Sequence, residues 1–223
     1  MSGLHSMEAR SMFERIIRDM YKERGWNERV TNIIIEFVSN IYKVYGDKYI
    51  ARILDRLNEL EEIKFSYDDS KYLASSKKNY IVFFKDIKDG NNFKYVLEHE
   101  LFHFIQKEGS AFEKIPKKYE KVLKFNIKIF LLEEAFVQYF TSRINDKKPE
   151  YFRQDENGNK KKYWINECYS DIVGVVEELE VKIGKVNLLD MYMDDKRYEE
   201  EIEKFDRKYG KNAFGKYIEK ICE

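Results

Sequence analysis

Apolar residues recur every three to four positions through the first sixty residues, which predicts three amphipathic helices. We expect these helices at Ala9–Tyr21, Glu28–Tyr45 and Lys48–Glu61. The second has the clearest stripe of aliphatic and aromatic residues, namely Val30, Ile33, Ile34, Phe37, Val38, Ile41 and Val44. Stripes of this kind are typical of core packing, so they indicate a folded helical region rather than a functional site.

The pattern then changes to short runs of β type. Ile63–Tyr67 alternates apolar and polar residues, Lys71–Ser75 follows a turn, and Tyr80–Phe84 is a continuous run of aromatic and β-branched residues. These three segments predict a small sheet of about three strands.

Helical patterns return after the sheet. An apolar helix ends before Gly109, and a long helix is expected at Lys118–Ile144. Three further helices follow from residue 163, broken at Gly184 and Gly210. The predicted fold class is α+β and predominantly helical.

The order of these elements suggests a division into three parts. We predict a catalytic core at residues 1–145, an exposed polar loop at 146–162 and a helical C-terminal subdomain at 163–223.

Composition narrows the function classes. The 223-residue chain has 41 Lys and Arg against 41 Asp and Glu, and this balance gives no support for binding nucleic acid or an acidic membrane. No apolar run approaches the roughly 20 residues of a membrane span. Two cysteines far apart in the sequence argue against a disulfide framework, and the N-terminus lacks the pattern of a secretory signal. We therefore predict a cytoplasmic protein.

The strongest chemical signal is a His-Glu-x-x-His motif at His99–His103, on the apolar helix after the sheet. Residues four apart lie on one face of a helix, so His99 and His103 can bind the same metal ion. Glu100 lies beside the first ligand, where it can take a proton from an activated water. The chain has three histidines in all, and the remaining one, His5, is near the N-terminus.

The alternative is a helix with two core histidines and no metal. The motif is surrounded by apolar residues on nearly every face of the helix: Phe93, Val96, Leu97, Leu101, Phe102, Phe104 and Ile105. Two imidazoles and a carboxylate are costly in such surroundings unless they are paired or bind a metal. We therefore favour a metal site, with Zn²⁺ as the ion.

A catalytic zinc usually has three protein ligands, and no histidine follows His103. A carboxylate is the natural substitute. Glu133 and Glu134 interrupt the apolar pattern of the long helix, where charged residues are rarely buried without a partner. Both are therefore candidates for the third ligand.

The helix with the His-Glu-x-x-His motif, here called the zinc helix, is followed by a helix that carries glutamate. This order resembles the gluzincin clan of metallopeptidases. Glu134-Ala135-Phe136-Val137-Gln138-Tyr139 is similar to the Glu-Gly-Phe-x-x-Tyr segment of its aminopeptidase N-like branch. The resemblance covers about 45 residues, from His99 to Arg143. It implies a zincin-like core in which Glu134 is the third zinc ligand, with Glu133 as the alternative.

The chain also departs from these families. Gln138 stands where thermolysin-like members carry an aspartate, and Ala135 stands where the aminopeptidase branch usually has glycine. No Gly-x-Met-Glu-Asn-type motif precedes the zinc helix, so aminopeptidase activity is not supported.

The resulting hypothesis is a zinc metallopeptidase that cleaves peptide or protein substrates with Glu100 as general base. An oxyanion donor is also needed, and the candidates are Tyr139, Tyr163 and Tyr169. By resemblance, the strand at Tyr80–Asp86 would pair with extended substrate. The alternative function is a latent or degenerate zincin that acts as a binding or regulatory module without peptidase activity.

Overall fold

The computed structural model describes residues 2–66, 73–87, 90–106, 126–146, 151–154, 160–163 and 167–219. It is predominantly helical with a small three-stranded sheet, which confirms the predicted fold class at that level. The helices are α1 Ser2–Arg24, α2 Glu28–Tyr45, α3 Ile50–Leu57, α4 Gly90–Ile105, α5 Asn126–Asn145, α6 Glu167–Ile183, α7 Lys185–Met193, α8 Asp195–Tyr209 and α9 Ala213–Glu219. The strands are β1 Glu62–Phe65, β2 Ala74–Ser76, β3 Tyr80–Phe83, β4 Tyr151–Gln154 and β5 Lys160–Tyr163.

The chain forms two compact units. The first comprises Met1–Ile105 and Thr141–Lys147, and the second comprises Gln106–Phe140 and Lys148–Glu223. Helix α5 therefore gives its last five residues to the first unit.

In the first unit, α2 has the bounds that its apolar stripe predicts. It begins at an N-cap, where the Asn27 side chain accepts a hydrogen bond from the Val30 amide. It ends at Gly46, whose φ of 81° is a conformation that glycine adopts without strain. Helix α1 extends beyond its predicted range at both ends, and α3 is shorter than predicted.

The sheet has the order β1-β3-β2, with β1 parallel and β2 antiparallel to β3. Strand β3 is therefore the middle strand, and both of its edges are hydrogen-bonded within the sheet. The expectation that the strand at Tyr80–Asp86 pairs with substrate is wrong for Tyr80–Phe83, because a middle strand has no edge for a further strand.

Helix α4 is fixed at both ends in the first unit. Near its start, the Phe93 ring stacks on Phe83 of β3 with 4.9 Å between ring centroids. At its last turn, the Arg56 guanidinium donates a 3.1 Å hydrogen bond to the Phe104 carbonyl, one of the carbonyls that a helix end leaves unpaired. Between these points, Phe102 meets Phe37 of α2 edge to face at 4.9 Å.

In the second unit, the predicted breaks at Gly184 and Gly210 are confirmed, and both glycines have positive φ. The structure adds a break at Asp194, so four helices stand where three were predicted. The Asp194 carboxylate accepts hydrogen bonds from the Lys196 and Arg197 amides and so caps α8. The signal for this boundary is the capping residue Asp194 itself, which a pattern of hydrophobicity alone does not register.

The stretch predicted as an exposed loop, residues 146–162, contains most of a β-hairpin. Strand β4 pairs antiparallel with β5, and Tyr151 lies opposite Tyr163. This corrects the prediction of a loop, since polar residues in a two-stranded ribbon leave no apolar alternation to detect. Across the part of the chain that is described, each helix is too short or too polar to traverse a lipid bilayer.

Candidate metal centre

His99 and His103 occupy one face of α4 and direct the same ring nitrogen toward each other. Their Nε2 atoms are 3.3 Å apart, and both side chains are half-buried. Two nitrogens at 2.0–2.1 Å from a tetrahedral zinc ion are separated by about 3.3–3.4 Å. The spacing thus fits zinc binding, although an N–H···N hydrogen bond between the rings has a similar length.

Glu134 of α5 completes a group of three residues that could hold a metal ion. One nitrogen from each histidine and one Glu134 carboxylate oxygen all lie within 4.8 Å of one another. Two imidazoles and one carboxylate form a known ligand set of catalytic zinc, which leaves a fourth position for water or substrate. A third protein ligand is what distinguishes this arrangement from a pair of histidines that merely hydrogen-bond.

Glu133, the alternative ligand, is not a member of this group among the described residues. Consecutive residues on an α-helix project about 100° apart, so Glu133 and Glu134 leave α5 in different directions. The structure thus brings together His99, His103 and Glu134 as the resemblance implied.

Glu100 lies on α4 between the two histidines in sequence, and it is 7% exposed. On an α-helix it projects about 60° from His103 and about 100° from His99, so all three belong to the same side of the helix. A buried carboxylate at this position is suited to receive a proton from a water that a metal has activated.

The tyrosine candidates have less support. Tyr139 is buried, and its ring meets that of Phe140 at 5.5 Å in the second unit. It follows Glu134 by five residues, which places it about 140° around the helix from that glutamate. The backbones of Tyr163 and Tyr169 lie in β5 and α6, but their side chains are outside the described residues. A catalytic role for any of the three stays a prediction.

Sequence reasoning missed Glu98, which precedes the first histidine and is fully buried in the first unit. Its Oε2 accepts a 2.5 Å hydrogen bond from Asn145 Nδ2. Its Oε1 has no hydrogen-bond partner among the described residues and lies 3.9 Å from Lys94 Nζ. Lys94 is also 2.5 Å from a Glu36 carboxylate oxygen. Like Glu133 and Glu134, Glu98 is a carboxylate within an apolar helix, and this is the signal in the sequence that identifies it.

Burial raises the pKa of the Glu98 carboxyl to about 7, because the charged form is poorly solvated. The hydrogen bond from Asn145 and the charge of Lys94 act in the opposite direction, whereas the nearby charge of Glu36 adds to the effect of burial. Near neutral pH, Glu98 is thus held between its two protonation states.

We expect Glu98→Gln to stabilise the metal-free protein at high pH. The folded pKa of Glu98 is about 7 against an ordinary 4.5, so the folded state binds the extra proton and wild-type stability falls as pH rises through this window. At about pH 8 the neutral amide should gain at most about 3 kcal/mol of unfolding free energy, and at about pH 4.5 almost none. Urea unfolding at the two pH values measures the difference.

The exposed Glu62 provides the control, because Glu62→Gln removes one carboxylate without changing a buried charge. It should alter stability little at either pH. An equal effect of Glu98→Gln at both pH values would contradict the assigned titration.

No protein-family model, curated protein or solved structure matches the chain.

Proposed function

We propose that the protein is a zinc-dependent metallopeptidase that hydrolyses peptide bonds. His99, His103 and Glu134 would hold the ion, and Glu100 would act as general base. The observation that carries the proposal is the approach of the Glu134 carboxylate to the two histidine nitrogens, all within 4.8 Å. The His-Glu-x-x-His spacing and the resemblance to gluzincins support the same reading.

A zinc ion held by such ligands activates a water molecule and polarises the carbonyl of the scissile bond. Glu100 would accept the proton of the attacking water and deliver it to the leaving amine. Glu100 follows His99 directly on α4 and projects from the same side of the helix as both histidines. The burial of Glu100 restricts exchange of that proton with bulk water, which favours transfer to the amine.

The proposal is tested with the wild-type protein and a mixture of unstructured peptides of varied sequence. We expect cleavage that is detected by mass spectrometry, lost after treatment with a zinc chelator and restored by one equivalent of Zn²⁺. His99→Ala is the matched control, and it should not be restored at that zinc concentration. Cleavage that persists in the chelator would overturn the proposal. One bound zinc per chain without cleavage would instead support the binding or regulatory module.

A further inference from the structure

A hydrogen bond to a buried carboxylate joins the two helices that carry the candidate ligands. Asn145, the last residue of α5, donates from Nδ2 to Glu98 Oε2 on α4 at 2.5 Å. The same Nδ2 donates to the Thr141 carbonyl at 2.9 Å, which braces the Asn145 side chain against its own helix. Both helix segments belong to the first unit.

Burial of the Glu98 carboxylate beside Asn145 costs free energy. Glu98 is fully buried, and Lys94 approaches its second oxygen only to 3.9 Å. Burying a carboxylate with so few partners is unfavourable, and apolar residues of similar volume often stabilise such positions instead. A hydrogen bond is directional, so it specifies one orientation of each helix, which apolar packing does not do.

Helix geometry connects this orientation to the third ligand. Glu134, Gln138, Thr141 and Asn145 are spaced by four, three and four residues, so they lie along one face of α5. Eleven residues correspond to about 1100° of rotation, which leaves Glu134 and Asn145 only about 20° apart around the axis. They are separated by about 16 Å along it. A contact that fixes the direction of Asn145 therefore also fixes the direction of Glu134.

On α4, the acceptor Glu98 is adjacent to a candidate ligand. Glu98 immediately precedes His99, and the polar chain continues from Glu98 through Lys94 to Glu36 of α2. The hydrogen bond thus ties the C-terminal end of α5 to a turn of α4 that α2 also holds.

We infer that Asn145 and Glu98 are positioning residues of the metal centre. Their hydrogen bond sets the rotation of α5 against α4 and so directs Glu134 toward His99 and His103. This inference rests on the proposed function, in which His99, His103 and Glu134 bind zinc. Asn145 and Glu98 themselves are not proposed to touch the ion or the substrate.

The test measures zinc affinity, by competition with a chromophoric chelator, and the visible absorption of the Co²⁺-substituted protein. Asn145→Ala should weaken zinc binding by roughly 10- to 100-fold, as loss of a group that orients a ligand does. Its Co²⁺ spectrum should change, because Glu134 no longer approaches in one geometry.

Exchanging the amide and the carboxylate between positions 145 and 98 distinguishes a loss of helix orientation from general damage to the fold. Asn145→Asp alone places two carboxylates together and should weaken zinc binding. Combining it with Glu98→Gln restores one amide donor and one carboxylate acceptor between the helices, but not the donor to the Thr141 carbonyl. The double variant should therefore bind zinc more tightly than Asn145→Asp alone, and its Co²⁺ spectrum should shift toward that of the wild type. This partial recovery tests the inference even if Asn145→Ala does not fold. Arg143→Ala, at an exposed position on the same end of α5, is the control and should bind zinc normally.

The outcomes also separate this inference from the proposed function. If Glu134→Ala loses zinc while Asn145→Ala and Asn145→Asp bind it as tightly as wild type with an unchanged Co²⁺ spectrum, the positioning role is wrong and the ligand set stands. Failure of the folded double variant to bind zinc more tightly than Asn145→Asp alone would also overturn the positioning role. Failure of the wild type itself to bind zinc would overturn the ligand set, and the inference with it.

Discussion

Replacing Glu100 by glutamine is expected to lower the rate of peptide hydrolysis by roughly 10²- to 10⁴-fold while zinc content stays at about one ion per chain. Glutamine nearly matches glutamate in size, so the helix and its histidines should remain in place. It cannot accept the proton of the attacking water, however, and the loss should fall on kcat. Parallel measurements of bound zinc and of kcat and KM for one identified peptide check both parts of this expectation.

Glu62→Gln serves as the matched control for the Glu100 variant. It removes one carboxylate from an exposed position on β1, so neither zinc content nor kcat should change. A Glu100→Gln protein that retains zinc and hydrolyses at the wild-type rate would show that another group is the general base. A protein that loses zinc would show that Glu100 supports the ion rather than the proton transfer.

Local signals predicted most of the helices and three motif residues of the site. The stripe of α2 and its caps lie within one stretch of chain, so the sequence determines them directly. The same holds for His99, Glu100 and His103, because the period of α4 places them on one side once the helix is recognised. The helical period alone would also have separated Tyr139 from the face of Glu134.

Features that join distant segments were not predictable in this way. In the sheet, β1 pairs parallel to β3, although β2 lies between them in the sequence. Three short apolar runs permit several such orders. Glu98 and Asn145 are 47 residues apart, and neither has a sequence pattern that identifies the other. The choice of Glu134 over Glu133 likewise came from a family resemblance, since both interrupt the same apolar run.

The choice between the two neighbouring glutamates leads to a sharp prediction about zinc content. Glu134→Ala is expected to reduce bound zinc from about one ion per chain to well below one at micromolar protein, because it removes one of three protein ligands. Glu133→Ala should leave about one ion per chain, since Glu133 lies outside the ligand group. The two variants remove the same side chain from adjacent positions of α5, so general effects on helix stability should be similar.

Elemental analysis of wild type, Glu134→Ala and Glu133→Ala, purified and dialysed side by side, measures this difference. The reverse pattern would move the third ligand to Glu133 and would require α5 to rotate by about 100° from its present orientation. Equal zinc in all three proteins would indicate that the two histidines retain the ion without either carboxylate. Because Glu134 provides the third ligand in the proposed site, zinc retention in its alanine variant is the result that would most directly contradict the assigned metal centre.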